Sequence, residues 1–171
     1  MTAAAVSTGA GPTTSGRGLA AYAVLGLPLA MMALPIYVVV PKFYAEATGL
    51  SLALIGAILL ATRLLDAFAD PLLGGWVDMS RRRSSHLRLV LLAMPPLALG
   101  FVLLFSPTAA LNVSVSPAIW LGVTLTAAYL GYSLASIAYQ AWGAELAHDD
   151  AGRTRITAAR EGAGLIGVIL A

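Results

Sequence analysis

Two acidic side chains and one basic side chain lie within a long apolar segment of this 171-residue chain. Arg63, Asp66 and Asp70 are three and four residues apart, and this spacing places them on one face of an α-helix. Pro71 removes a backbone donor, so the carbonyl oxygen of Ala67 would add another acceptor. Hard cations prefer such oxygen ligands. We predict that Asp66 and Asp70 bind Na⁺ or H⁺, and that Arg63 adjusts their charge.

The same spacing also allows a purely structural role. Arg63 and Asp66 could neutralise each other inside a packed bundle, which would leave Asp70 unpaired. A charge at the centre of a bilayer costs about 2.5–3.5 kcal/mol on insertion scales. Under either interpretation the charged face therefore contacts protein or water rather than lipid, and both interpretations stay open.

The composition excludes several classes of protein. Hydrophobic residues make up 59% of the chain and charged residues 11%, whereas soluble domains carry about 25% charged residues. There are no cysteines, which excludes disulfides and thiolate chemistry. His86 and His148 lie beside charge clusters without metal-ligand spacing. We predict a membrane protein that is not an enzyme, with no cofactor or metal beyond a coupling Na⁺ or H⁺.

Five apolar segments have the character of membrane-spanning helices, which need about 20 residues each. The predicted helices cover residues 19–40, 51–77, 87–105, 118–146 and 156–171. Residues 1–18 are predicted to form a disordered cytoplasmic tail because they are rich in small and polar residues. The fifth segment is cut off at Ala171. We expect an all-α N-terminal fragment whose bundle is completed by the remaining helices of a longer chain.

Basic residues are concentrated in the second and fourth predicted loops. The second loop contains Arg81, Arg82, Arg83 and Arg88, and the fourth contains Arg153, Arg155 and Arg160. The first loop holds Lys42 and Glu46, which cancel, and the third holds no charge. Lys and Arg mark the cytoplasmic side of a membrane. We therefore predict a plasma (inner) membrane protein with a cytoplasmic N-terminus, and no binding to nucleic acid.

The fourth predicted helix carries a polar and aromatic face. Ser136, Tyr139, Gln140 and Gly143 share that face, and we predict that the first three line the path of a hydroxylated or amphipathic solute. Trp142 fits an anchoring role at the lipid headgroups more simply.

Two strings of residues resemble the glycoside–pentoside–hexuronide:cation symporters, the melibiose-permease-like branch of the major facilitator superfamily. The first is Arg63-x-x-Asp66-x-x-x-Asp70-Pro71-x-x-Gly74-x-x-x-Asp78, followed by Arg82, Arg83 and Arg88. The second is Tyr139-x-Ala141-x-Gly143-Ala144-Glu145-Leu146, followed by Asp149, Arg153-Thr154-Arg155 and Arg160-Glu161.

The resemblance implies a twelve-helix bundle of two halves that alternates access around a midplane site. Asp66 and Asp70 match the family's cation-site carboxylates. The resemblance also implies a cytoplasmic gate formed by Gly74, Asp78, Arg82, Arg83, Arg88, Glu145 and Arg153. The sugar permeases of this family carry an acid in the first helix and another in the fourth. Here residues 19–40 contain none, and Ser136 stands at the second place.

These observations predict a secondary active transporter that couples a small organic solute, such as a sugar or glycoside, to H⁺ or Na⁺. The alternative is a membrane interaction or sensor protein that does not transport. In that case the intramembrane charges would serve only assembly.

Overall fold

The computed structural model describes residues 16–79, 83–107, 114–147 and 149–171. The helices are α1 (Gly16–Thr48), α2 (Leu52–Met79), α3 (Arg83–Leu104), α4 (Pro117–Leu146) and α5 (Asp150–Leu170). No strand occurs within these ranges. By length and composition, α1, α2 and α4 can cross a membrane, while the apolar part of α3, Arg88–Leu104, is shorter. The predicted all-α membrane fold is confirmed.

The first helix extends eight residues beyond its predicted end at Val40. Lys42 and Glu46 therefore lie on α1 rather than in a loop, and they form an exposed ion pair at 3.8 Å one turn apart. The helix ends at Thr48 and is followed by Gly49. The φ of Gly49 is +71°, the left-handed conformation that glycine adopts most readily just after a helix. Residues 1–15, most of the predicted tail, lie outside the described residues.

The fifth helix begins at Asp150, six residues before the predicted start at Ile156. Asp149 caps it, because its Oδ1 accepts a hydrogen bond from the backbone N–H of Gly152 at 2.7 Å. A capped N-terminus satisfies backbone donors that would otherwise lack partners. Consequently Arg153 and Arg160 lie on α5 and not in the preceding loop.

The helices pack in two groups. α4 contacts α3 and α2 extensively, and α1 packs mainly against α5, while α1 meets α2 and α4 over smaller areas. Contacts between α2 and α4 follow the same order along the two helices. Ile58 of α2 lies near Gly122 of α4, and further along both helices Asp66 is bonded to Ser133. These two helices are therefore parallel, and their C-terminal ends lie at the same end of the bundle.

Two hydrophobic clusters lie at opposite ends of the bundle. One contains residues from the later parts of α2 and α4 and the early parts of α1 and α3, among them Tyr22, Val77, Ala93 and Leu146. The other contains residues from the opposite halves of the same four helices, among them Tyr44, Ile55, Leu104 and Leu121. The polar contacts described below lie between these clusters or at their edge.

Glycines bring α3 and α4 into backbone contact. A Cβ atom at Gly131 would lie 2.8 Å from the backbone nitrogen of Leu97, and one at Gly100 would lie 2.8 Å from that of Ala128. Among the described residues, the adjacent glycines Gly74 and Gly75 of α2 make no such approach. Within the described part of the chain, a Cβ at either position meets nothing within 4 Å, because that face of α2 has no described neighbour.

We expect Gly131→Ala to destabilise the bundle by about 1–3 kcal/mol, the usual cost of overpacking, because backbone atoms cannot move aside as a flexible side chain can. Thermal unfolding of the full-length protein in detergent measures the loss. Gly122→Ala adds the same methyl group to the same helix where it would meet the Ile58 side chain at 3.8 Å, an ordinary van der Waals distance, and it should not lower the unfolding temperature. Equal unfolding temperatures for the two variants would contradict the backbone contact.

Candidate functional site

Asp66 is held by one partner on its own helix and one on α4. Its Oδ2 accepts a hydrogen bond from Arg63 Nη1 at 2.8 Å, and its Oδ1 accepts one from Ser133 Oγ at 2.7 Å. Only 3% of the side chain is exposed. A buried carboxylate needs such partners, because an unpaired charge in an apolar interior is strongly unfavourable. The ion pair that the sequence allowed is therefore present.

The guanidinium of Arg63 lies between this buried acid and the outside of the bundle. Its side chain is 55% exposed, and its central carbon lies 5.7 Å from the centre of the Tyr129 ring, within the range of a cation–π contact. Arg63 thus neutralises Asp66 and also contacts α4.

Asp70 is placed differently, although it lies only one helical turn from Asp66. Its Oδ1 is buried and has no hydrogen-bond partner among the described residues. α2 continues unbroken through Pro71, from Leu52 to Met79. One of the two predicted cation ligands thus has both oxygens occupied, whereas the other keeps a buried acceptor.

The acids predicted at the cytoplasmic gate lie at one end of the bundle. Asp78 follows Asp66 by twelve residues, and Glu145 follows Ser133 by twelve (78 − 66 and 145 − 133). On parallel helices, each lies about 18 Å beyond the hydrogen bond that joins Asp66 to Ser133. Both side chains are exposed.

The basic gate residues lie near the starts of the following helices. Arg88 and Arg153 are exposed, in the second turn of α3 and the first turn of α5. Arg82 and the side chain of Arg83 fall outside the described residues. Gly74 borders open space within the described part of α2.

An open cleft of about 320 Å³ lies between α1, α4 and α5. The three residues predicted to line the solute path, Ser136, Tyr139 and Gln140, all contribute to it, and Gln140 Nε2 donates to Ser136 Oγ at 3.2 Å. Asp66 and Asp70 do not line this cleft. The predicted cation ligands and the predicted solute residues therefore occupy separate places, joined through α4.

The three helices converge at Gly26. A Cβ atom there would lie 3.2 Å from the hydroxyl of Tyr139 and 3.3 Å from the backbone oxygen of Arg160. Glycine thus permits α4 and α5 to approach α1 at the wall of the cleft.

Two tyrosines join α1 to α4 beside the cleft. The Tyr139 hydroxyl donates to the backbone oxygen of Tyr22 at 2.9 Å, and the Tyr22 hydroxyl donates to that of Tyr139 at 3.3 Å. Their rings stack with centres 4.4 Å apart, and Tyr22 fits above Gly143, which has no side chain. Trp142 packs edge-on against Tyr22. We name this reciprocal pair the tyrosine clasp.

Sequence reasoning missed two parts of the site. Ser133 was not selected because its hydroxyl resembles many others in α4, and only the parallel packing of α2 and α4 brings it to Asp66. Arg160 and Glu161 line the cleft, but they were selected only for their resemblance to a cytoplasmic loop of the family, and neither was predicted to line the solute path.

The long apolar helices, with charged residues inside the apolar part of α2, are those of a multi-pass membrane protein. Residues 16–171 match the family described as MFS/sugar transport protein. The chain belongs to this family, and the predicted resemblance to the cation symporters within the superfamily is confirmed.

Two proteins of Escherichia coli (strain K12) are similar to parts of the chain. YagG, whose name provisionally assigns it as a glycoside/cation symporter, is 44% identical over 50 residues, which are 29% of this chain and 11% of YagG. The inner membrane symporter YicJ is 31% identical over 109 residues, which are 63% of this chain and 23% of YicJ. The chain thus matches less than a quarter of either relative. No solved structure gives a significant match.

We expect Ser133→Ala to lower the stability of the full-length protein by about 1–3 kcal/mol, because it leaves a buried carboxylate oxygen of Asp66 without its α4 partner. Chemical unfolding in detergent measures the change. Ser106→Ala is the matched control, since that hydroxyl lies just beyond the end of α3 and donates to the backbone oxygen of Val102, four residues earlier, rather than to a charged group. An equal, small effect of both substitutions would contradict a stabilising link through Ser133.

Proposed function

We propose that the full-length protein is a symporter that moves a small organic solute, such as a sugar or glycoside, together with H⁺ or Na⁺. The observation that carries the proposal is the buried oxygen of Asp70, one turn from the ion-paired Asp66. The symporter names of the two relatives support the same class of activity. We further propose that the N-terminus is cytoplasmic.

Asp70 is the better candidate to accept the cation first. A cation at Asp66 would compete with the Arg63 guanidinium and with the Ser133 hydroxyl. By contrast, a proton or Na⁺ at Asp70 would supply the partner that its buried Oδ1 lacks, which removes an unfavourable desolvation. With Arg63 paired to Asp66, Asp70 carries the remaining negative charge of these three groups, which favours a cation there. For both carboxylates to bind one ion, Asp66 must first lose a partner. Release of Arg63 from Asp66 would therefore accompany the binding of Na⁺ by both carboxylates.

The position of α4 supports coupling between cation and solute. Ser133 bonds to Asp66, and Ser136 and Gln140 line the cleft three and seven residues further along the same helix. A change at the carboxylates that shifts or rotates α4 would therefore alter the cleft directly. No separate relay element is required.

The cytoplasmic placement of the N-terminus is supported by charge. The C-terminal end of α2 and the N-terminal ends of α3 and α5 carry exposed charged residues, among them Asp78, Arg88 and Arg153. By the preference of basic residues for the cytoplasm, this end of the bundle is the inner one. α1 runs antiparallel to α2, so its N-terminus lies on that same side.

Asp70→Asn tests the role of the carboxylate. We expect gradient-driven uptake by the full-length protein in proteoliposomes to fall at least about tenfold, because the amide removes the negative charge that attracts the cation. Exchange of solute without a gradient should persist. Glu46→Gln is the control, since it removes an exposed acid from the Lys42 pair. Normal accumulation by Asp70→Asn would contradict the proposed role.

The alternative, a membrane interaction or sensor protein, is favoured by one observation, the 2.8 Å pair between Arg63 and Asp66. The double substitution Arg63→Leu with Asp66→Asn separates the two functions, because it keeps local neutrality while it removes the acid. We expect it to fold and insert but to lose gradient-driven uptake. If stability is retained and the flux of no solute changes in a proteoliposome screen, the non-transporting function is supported instead.

A further inference from the structure

The cleft between α1, α4 and α5 has an unusual charge balance for a polar pocket. Its lining contains one cation and one anion, Arg160 and Glu161, which are neighbours on α5. The other described lining residues are uncharged: Gly26, Leu29, Ala30, Tyr132, Ser136, Tyr139, Gln140 and Gly164. The formal charge of the described lining is therefore zero.

The two charged side chains are paired by two hydrogen bonds to a single oxygen. Arg160 Nη2 donates to Glu161 Oε1 at 2.7 Å and Nε donates to the same atom at 3.2 Å. The Arg160 side chain is 26% exposed and that of Glu161 is 65% exposed. Such a partly exposed pair adds little to stability. Because it joins neighbouring residues of α5, it also holds no two helices together.

The pair leaves an acceptor available on a cleft-lining residue. Both bonds from Arg160 end on Oε1, and the second oxygen of Glu161, Oε2, makes no hydrogen bond within the described part of the chain. A carboxylate oxygen accepts well from hydroxyl groups. With the Gln140 amide and the Ser136 and Tyr132 hydroxyls, the cleft offers donors and acceptors for several hydroxyls of one solute.

We propose that Glu161 determines solute specificity, so that the cleft takes a neutral polyhydroxylated solute and rejects an anionic one. The role of Glu161 rests on the proposed transport function, for which it specifies the class of solute. A guanidinium without a partner would bind a solute carboxylate through two parallel hydrogen bonds. Glu161 occupies the edge of the guanidinium formed by Nε and Nη2, and its own negative charge repels a second carboxylate.

Glu161 also bears on the acids that the sugar permeases carry in their first and fourth helices and that this sequence lacks there. Residues 19–40 of α1 contain no acid, and Ser136 of α4 is uncharged. Among the described lining residues, Glu161 is the one carboxylate of the cleft. It therefore supplies from α5 the charged acceptor that the lining residues of α1 and α4 lack.

The test compares two probes that differ at one carbon, methyl β-glucoside and methyl β-glucuronide. Their affinities for the full-length protein purified in detergent are measured by titration calorimetry. We expect the wild-type protein to prefer the glucoside by about tenfold or more, and Glu161→Gln to lower this preference by about tenfold, a typical effect of one hydrogen bond to a charged group. Glu161→Asp should retain the wild-type preference, because it keeps the charge.

Glu46→Gln is the control for charge alone. It removes one negative charge from the exposed pair with Lys42, far along α1 from the cleft, and it should leave the ratio of affinities unchanged. A wild-type preference for the glucuronide, an unchanged ratio in Glu161→Gln, or no binding of either probe by any variant would overturn the inference. Binding in detergent needs no gradient, so the two proposals can fail separately. If the affinity ratios are as expected but coupled uptake is absent, the proposed symport is refuted and the role of Glu161 is not.

Discussion

The buried carboxylate of Asp66 is the interaction on which the arrangement of this bundle depends. A charged group inside an apolar bundle must find partners, and here one partner comes from the same helix and one from α4. The second of these bonds fixes both the distance and the register between α2 and α4. Since α4 also forms a wall of the cleft, the same helix that satisfies this acid carries Ser136, Tyr139 and Gln140 at the cleft.

The other helix boundaries differ in how closely their backbones approach. α3 meets α4 through glycines that leave no room for a side chain, whereas α1 meets α4 mainly through the tyrosine clasp. The cleft lies along the looser boundary. The described helices therefore combine one closely packed boundary, between α3 and α4, with one that is held mainly by aromatic side chains, between α1 and α4.

Much of the fold could be predicted from the sequence, because long apolar segments and the three-to-four-residue spacing of charges report directly on membrane helices. The helix ends were less predictable. Gly49 and Asp149 act through local backbone geometry, which hydropathy does not register, so α1 was predicted too short and α5 too late. In the site, Asp66 and Asp70 stand out by charge, whereas Ser133 becomes informative only through helix packing. Glu161 was considered only for its resemblance to a cytoplasmic loop of the family.

The tyrosine clasp has a mechanical consequence. Each hydroxyl is anchored to the main chain of the opposite helix, so a sliding movement of α1 along α4 lengthens both bonds at once. A rotation about the stacked rings can preserve them. The clasp therefore resists sliding between α1 and α4 more than it resists rotation about the stacked rings.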